Sequence, residues 1–188
     1  MSSMGIVLIG IAAAILVVGF WFMQGYNGLV RLKAMVDEGW SGISVQLKRR
    51  YDLIPNLVAV VKQYGIHEKE VLENIARMRS VSMSAVGIEQ KAVAEGQLTS
   101  ALKTLFAVAE NYPDLKANQN FMSLQKDLAS LEDELQLSRR YYNGAARNYN
   151  IGVQMFPSRI IAGVTGFVVA PYFELDSAEE RNVPHIQF

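Results

Sequence analysis

The sequence predicts an all-α protein in which an N-terminal transmembrane helix continues into an antiparallel bundle of about four long helices. An uncharged apolar run covers residues 5–23. Apolar residues then recur every three or four positions, which is typical of helices packed in a bundle. A seven-residue repeat follows over residues 121–152. These observations divide the chain into a short N-terminus and transmembrane helix (1–25), a helical-bundle domain (26–156), and an apolar strap with a mobile tail (157–188).

The apolar run has the length of a membrane span. At about 1.5 Å per residue it extends roughly 28 Å, close to the thickness of the hydrocarbon core of a bilayer. Phe20, Trp21 and Phe22 stand at its C-terminal end, and aromatic residues favour the membrane–water interface. A cleaved signal peptide would instead have a basic first segment, a shorter apolar stretch and small residues at the cleavage site. The run therefore predicts a membrane anchor.

The charges around the run predict its orientation. No lysine or arginine precedes it, whereas Arg31 and Lys33 follow it closely. Because positive residues favour the cytoplasmic side, we expect the short N-terminus outside and the helical domain in the cytoplasm. The expected location is the inner cell membrane, with a single pass.

A helical stripe continues the anchor without a cluster of helix breakers. Pro55 disfavours helix at the residue before it, but the stripe keeps its phase, so we expect a kinked continuous helix. A second helix should begin near His67 and fray into a connector at residues 80–87, and a third should span residues 89–111. The stripe consists of Leu32, Val36, Trp40, Ile43, Leu47, Ile54, Leu57, Val61 and Tyr64, with Arg50 in the one missing position.

The fourth predicted helix has two seams that repeat every seven residues. As the side chains of one seam shrink toward glycine, those of the other grow to tyrosine, which favours close helix packing. The seams are Phe121, Leu128, Leu135, Tyr142 and Tyr149, and Leu124, Leu131, Ser138, Ala145 and Gly152. The apolar residues 160–173 that follow are too short for a span. They fit a strap on the bundle, a membrane-surface contact or an oligomer contact.

Two groups of polar residues are candidates for structural or interaction roles. Arg50 occupies a position of the apolar stripe and needs a partner; Glu134 is the first candidate, with Glu132 and Asp133 as alternatives. Tyr142-Asn143 and Tyr149-Asn150 lie one heptad apart, near Arg139, Arg140 and Arg147. They fit either a polar binding groove or, as we favour, a network that fixes helix register.

Composition argues against several classes of function. The chain has no cysteine, only two histidines and a formal net charge of zero. It has no phosphate-binding glycine loop and no G-x-S-x-G motif. We therefore expect a non-catalytic protein with no cofactor, no metal site and no nucleic-acid partner.

Three motifs resemble the LemA family of bacterial membrane proteins: W-S-x-I-x-V-Q-L-K-R-R-x-D-L-I-P-N-L-V (40–58), N-Y-P-x-L-K-A (111–117) and R-R-Y-Y-N (139–143). The resemblance covers about residues 26–167. It implies one transmembrane helix, a domain of about four long helices and no established catalytic activity. It also implies an accessory role of the kind discussed for membrane proteases and envelope stress. Gly39 departs from the alanine we expect there, and glycine inside a helix costs roughly 1 kcal/mol.

Three classes of function follow. The first is a membrane-anchored scaffold or adaptor of the bacterial envelope that contacts the bilayer, copies of itself, or other membrane proteins such as proteases. The second is a module that binds a small ligand or a lipid headgroup at a basic, tyrosine-rich site near the membrane. The third, an enzyme, has no supporting motif. The scaffold is the interpretation we favour, with Trp40, Arg50 and Pro55 as interaction candidates on the first helix.

Overall fold

A computed structural model describes residues 3–64 and 68–174. These residues form six helices and no strand, which confirms the all-α prediction. The helices are α1 (Ser3–Gln63), α2 (Lys69–Ser84), α3 (Ile88–Ala109), α4 (Pro113–Lys116), α5 (Gln119–Gln154) and α6 (Ser158–Thr165). The expectations for His67, and for the tail beyond residue 174, lie outside the described residues.

Helix α1 is continuous from the apolar run into the predicted stripe. It passes through Pro55, whose side chain is exposed, and it ends at Gln63. The predicted continuity of this helix through Pro55 is therefore confirmed, while the kink at Pro55 stays a prediction. At its end the backbone N–H of Tyr64 donates to the carbonyl of Val61 at 3.2 Å. Tyr64 is exposed, so the buried part of the stripe ends at Val61.

Among the described residues, α1 is the one helix that is long and apolar enough to cross a membrane. Its most apolar segment lies near the N-terminus, and none of that segment is buried inside the protein. A core helix of a water-exposed domain would hide such a segment, because exposed apolar surface is costly in water. Residues 5–23 thus form a candidate membrane span.

The first of two compact units comprises Met1–Trp40 and Tyr141–Ala170. It contains the first part of α1, the second part of α5, and α6. Gly152 of α5 faces α1 so closely that a Cβ added there would lie 2.9 Å from Leu32 Cδ1. The large-against-small fit predicted for the seams therefore occurs here. The buried residues of this unit include Leu29, Val36, Tyr142, Ala145, Ala146, Tyr149, Val153, Ile161 and Ala162.

The second unit comprises Ser41–Arg140 and Pro171–Phe188. It contains the remainder of α1, all of α2, α3 and α4, and the first part of α5. Asn118 begins α5 as its N-cap, since its Oδ1 accepts the N–H of Phe121 at 2.9 Å. The large apolar residues of its core include Ile43, Leu47, Ile54, Leu57, Val61, Leu72, Ile75, Leu98, Leu105, Leu115, Phe121 and Leu135.

The connector between α2 and α3 is shorter than the predicted residues 80–87. Helix α2 continues to Ser84, and only residues 85–87 lie outside the helices. Lys91 explains the difference, because its Nζ donates a hydrogen bond to the carbonyl of Ser82 at 2.5 Å. This bond gives a carbonyl in the last turn of α2 a partner and so stabilises the end of the helix. Gly87 then turns the chain with a φ of 83°, a conformation that favours glycine.

Candidate functional site

The second unit contains a buried charge cluster, defined here as Arg50, Tyr51, Glu95, Glu132 and Arg139. Arg50 Nη1 lies 3.0 Å from Glu132 Oε2 and 3.4 Å from Glu95 Oε2. Its Nη2 donates to the hydroxyl of Thr99 at 2.9 Å. The side chain of Arg50 is 6% exposed and that of Glu95 is 0% exposed. The cluster thus joins α1, α3 and α5 through paired charges.

Glu95 is the residue that the sequence reasoning missed. It accepts a hydrogen bond from the phenol of Tyr51, and burial together with this carboxylate raises the pKa of Tyr51. A signal for Glu95 exists in the sequence. The buried face of α3 recurs at threes and fours through Ala92, Glu95, Leu98, Leu102, Leu105 and Ala109. Glu95 is the one charged member of this stripe, as Arg50 is in α1.

The predicted pairing of Arg50 with Glu134 is wrong. Glu134 Oε2 instead accepts a hydrogen bond from Arg49 Nη1 at 3.1 Å, and these side chains are 44% and 61% exposed. Glu134 precedes the buried seam residue Leu135 and so turns toward solvent with Arg49. The alternative Glu132 is the carboxylate on α5 that contacts Arg50.

Arg139 lies at the other side of the cluster. Its Nη1 is 3.4 Å from Glu132 Oε1, and its Cζ lies 5.2 Å from the centre of the Phe173 ring. Burial lowers the pKa of Arg139, although Glu132 opposes that effect. Its Nε and Nη2 have no acceptor within the part of the chain that the structure describes. Arg139 is therefore an interior residue and does not present a basic surface.

In the first unit, an aromatic seam joins α1 to α5. The ring of Trp40 lies 6.1 Å from that of Tyr142, at an interplanar angle of 63°. A Cβ added to Gly39 would lie 3.0 Å from Tyr142 Cα, so glycine permits a close approach of the two helices. Burial, with a smaller effect of Asp37, raises the pKa of Tyr142 to about 12.

Asn150 attaches the chain after α6 to the end of α5. Its Nδ2 donates to the carbonyl of Ala170 at 2.9 Å, and its Oδ1 accepts the N–H of Ala170 at 2.7 Å. The ring of Tyr149 packs edge-on against Phe167, with 6.4 Å between their centres. Residues 166–170 are thus attached to the end of α5 as a strap.

The remaining candidates differ in exposure. Tyr142 and Tyr149 are buried, Asn143 is half-buried, and Arg140 and Arg147 are exposed. Since neither tyrosine ring reaches solvent, the pair does not line an open groove. Tyr141 is exposed, and its hydroxyl donates to Glu38 at 3.1 Å, which raises the pKa of Tyr141.

The second unit also exposes an apolar corner, defined here as Met83 at the end of α2 and Val86 in the α2–α3 connector. Val86 is 79% exposed and Met83 is 52% exposed. Within residues 3–64 and 68–174, no group of three or more histidine, aspartate or glutamate side chains is arranged to hold a metal ion.

The fold and these sites define a class of helical protein that has a candidate membrane span and a buried charge cluster. The chain belongs to the LemA family, whose family model matches residues 39–188. It is similar to Magnetosome protein MamQ 2 of Paramagnetospirillum magneticum, with 27% identity over 81% of this chain and 65% of that protein.

Two further relatives have comparable identity. Magnetosome protein MamQ of Magnetospirillum gryphiswaldense is 26% identical over 80% of this chain and 65% of the relative. Protein LemA of Metamycoplasma hominis is 25% identical over 87% of this chain and 75% of the relative. The chain therefore spans slightly less than two thirds of the length of the magnetosome relatives.

Proposed function

We propose that this protein is a membrane-anchored helical scaffold of the bacterial envelope, which acts through contacts with other proteins and catalyses no reaction. The observation that supports it most directly is the apolar corner formed by Met83 and Val86, whose side chains are 52% and 79% exposed. Neighbouring apolar side chains on an exposed surface mark a candidate contact site. Methionine and valine at such a corner suit a protein partner, because they offer apolar area without a directional polar requirement.

The buried charges of the second unit support a structural role. Arg50 and Glu95 are paired with each other, and Thr99, Glu132 and Tyr51 provide their further contacts. A general acid or base must reach the proton that it transfers. Glu95 is enclosed, and its oxygens are occupied by Arg50 and Tyr51, so it serves packing rather than substrate chemistry.

The alternative of a small-ligand or headgroup site rests on Arg139, Arg140 and Arg147 together with the tyrosines at 142 and 149. Such a site requires a concave pocket with convergent polar groups. Arg140 and Arg147 are exposed, but the burial of Arg139 and of both tyrosines weighs against that alternative. The names of the three relatives state no reaction and no ligand, so they add no support for a catalytic function.

Photo-crosslinking in native membranes tests the scaffold. A photoreactive amino acid at Val86 should form adducts with protein, because this side chain projects from the corner. The matched control is the same amino acid at Lys103, an exposed position on α3 away from the corner. Adducts of two copies would identify self-association, and heavier adducts would identify another membrane protein such as a protease. The proposal fails if position 86 forms no more adducts than position 103.

The orientation is tested separately, since the chain has no native thiol. Single cysteines at Ser3 and Gln90, both exposed, are treated with an impermeant maleimide on intact cells. With the N-terminus outside and the helical domain in the cytoplasm, only position 3 reacts before lysis. Reaction at position 90 alone would reverse the orientation.

A further inference from the structure

Helix α6 presents an apolar strip on the side that faces away from α1. Its inner face is formed by Ile161 and Ala162, which are buried. The strip consists of Phe156, Ile160, Val164 and Val168, which are 79%, 53%, 75% and 75% exposed. Ile160 and Val164 are four positions apart within α6 and so share one side of the helix, while Phe156 and Val168 are exposed in the segments that flank it. Neighbouring exposed apolar residues of this kind mark a contact surface.

The contacts of α6 place this strip beside the end of the candidate span. Ile161 packs on Gly25 so tightly that a Cβ on Gly25 would lie 2.3 Å from Ile161 Cδ1. The ring of Phe167, just after α6, lies 5.7 Å from that of Tyr26. Gly25 follows residue 23 by two positions, or about 3 Å along a helix axis. The interfacial layer on each side of the hydrocarbon core is about 5–8 Å thick, so Gly25 falls within it.

We propose that the strip on α6 is a second membrane contact, which inserts into the headgroup–acyl boundary of the leaflet where the anchor emerges. The proposal rests on the anchor proposed above, because the anchor sets the height of Gly25 and Ile161. A helix that lies in this boundary buries apolar side chains by about 5–10 Å, which suits valine, isoleucine and phenylalanine.

The position of the strip favours lipid over a second copy of the chain. The strip continues the apolar surface of α1, where Met23 and Tyr26 are themselves exposed. Arg159 is exposed next to Ile160 and can reach anionic headgroups while its stem stays in the boundary. A protein partner on this strip would have to displace the lipid that surrounds the end of the anchor.

Depth-dependent quenching tests the proposal with the full chain. An environment-sensitive fluorophore is attached to single cysteines at Val164, Ile15 or Ala34, all exposed positions. Each protein is reconstituted into vesicles of phosphatidylcholine and phosphatidylglycerol that contain nitroxide lipids, with the nitroxide near the top of the acyl chain. Position 15 reports the anchor. Position 34 is the aqueous control, because 11 residues of α1 place it about 16 Å beyond residue 23.

We expect quenching at position 164 to exceed quenching at position 34 by about twofold or more, as expected for a side chain in the boundary. Quenching at position 15 but not at position 164 overturns the α6 contact and leaves the anchor intact. If position 15 is not quenched, the anchor itself fails, and the α6 contact fails with it. A label at position 164 that is shielded from water without lipid quenching assigns the strip to a protein partner and also overturns the proposal.

A variant of the strip adds an internal control. Ile160→Asp places a charge in the boundary and should lower the quenching at position 164 by about twofold. Ile160→Leu keeps the apolar surface and should retain it. Because Ile160 is exposed, neither change disturbs the buried face of α6. Equal quenching in both variants contradicts the role of the strip, whereas unchanged quenching at position 15 confirms that the anchor is intact.

Discussion

Replacing Glu95 by glutamine tests whether the charge cluster stabilises the second unit. The change keeps the shape of the side chain and an acceptor for Tyr51, but it removes one of the two carboxylates that contact Arg50. Removing one partner of a buried ion pair costs about 3–5 kcal/mol, because the other charge is left without compensation. Arg50 keeps Glu132, which is 27% exposed, so we expect the lower end, about 3 kcal/mol.

The measurement is thermal unfolding of the full chain in nanodiscs, followed by helical circular dichroism. For a chain of this size, 1 kcal/mol corresponds to about 2–4 °C in Tm, so Glu95→Gln should lower Tm by about 6–12 °C. Glu134→Gln is the matched control. It removes an exposed pair with Arg49, and such pairs contribute at most about 1 kcal/mol. Equal melting temperatures for the two variants would refute the assignment of the cluster as a stabilising element.

A double-mutant cycle makes the test specific to the pair. Arg50→Leu with Glu95→Leu should cost less than the sum of the two single changes, with a coupling of about 2 kcal/mol. The same cycle between Arg50 and Glu134 should be additive to within about 0.5 kcal/mol. Coupling in the second cycle but not in the first would show that the contacts of Arg50 are misassigned.

Three further predictions concern the first unit. Gly39→Ala should lower Tm despite its gain in helix propensity, because the added Cβ would lie 3.0 Å from Tyr142 Cα. The control Gly42→Ala has nothing within 4 Å of its Cβ and should raise stability by about 1 kcal/mol. Equal shifts in the two melting temperatures would contradict the close approach of the helices at Gly39. Stability should fall as the pH rises from about 10 to about 12, because an unfolded tyrosine releases its proton near pH 10 while folded Tyr142 holds it to a pKa of about 12. Tyr142→Phe should reduce that slope by up to about 1.4 kcal/mol per pH unit in urea unfolding, and an unchanged slope would refute the shift. Asn150→Asp keeps the acceptor for the N–H of Ala170 but loses the donor to the carbonyl of Ala170, so amide hydrogen exchange should become faster across residues 166–170. Unchanged protection of these amides from exchange would show that the two hydrogen bonds do not hold the strap.

The two longest helices were predictable because their apolar positions repeat over many turns. The stripe of α1 and the heptads of α5 each specify one buried face, and the structure buries all five residues of the first seam of α5. Pro55 did not obscure α1, since the stripe keeps its phase on both sides of it. The candidate span followed from the same reasoning, applied to length and the absence of charge.

The end of α2 was harder to predict because its stabilising contact comes from another element. Three serines between residues 80 and 84 indicate a fraying helix, since serine competes with the backbone for hydrogen bonds. Lys91 of α3 supplies the missing donor from a position seven residues beyond Ser84. Local propensity does not include such a contact, so the predicted connector was too long.

The partners of Arg50 show where periodicity is insufficient. A charged residue in an apolar stripe establishes that a carboxylate must be near, but the register between helices decides which carboxylate it is. Glu134 adjoins a seam residue in sequence, but a helix turns about 100° per residue, so its side chain points in another direction. The buried stripes identify the pair more directly, because Glu95 is the charged member of the stripe of α3 and Arg50 is the charged member of the stripe of α1.

The pairing of the Arg50 guanidinium with two carboxylates bears on the register in which the helices of the second unit pack. Apolar stripes on α1, α3 and α5 tolerate several registers, since a shift by one turn still places apolar residues together. The contacts of Arg50 with Glu95 and Glu132 are lost under such a shift, and at least one buried charge would then be unpaired. A scaffold needs a fixed surface more than it needs maximal stability. The charge cluster therefore suits the proposed role, because it penalises the alternative registers of the three helices that it joins.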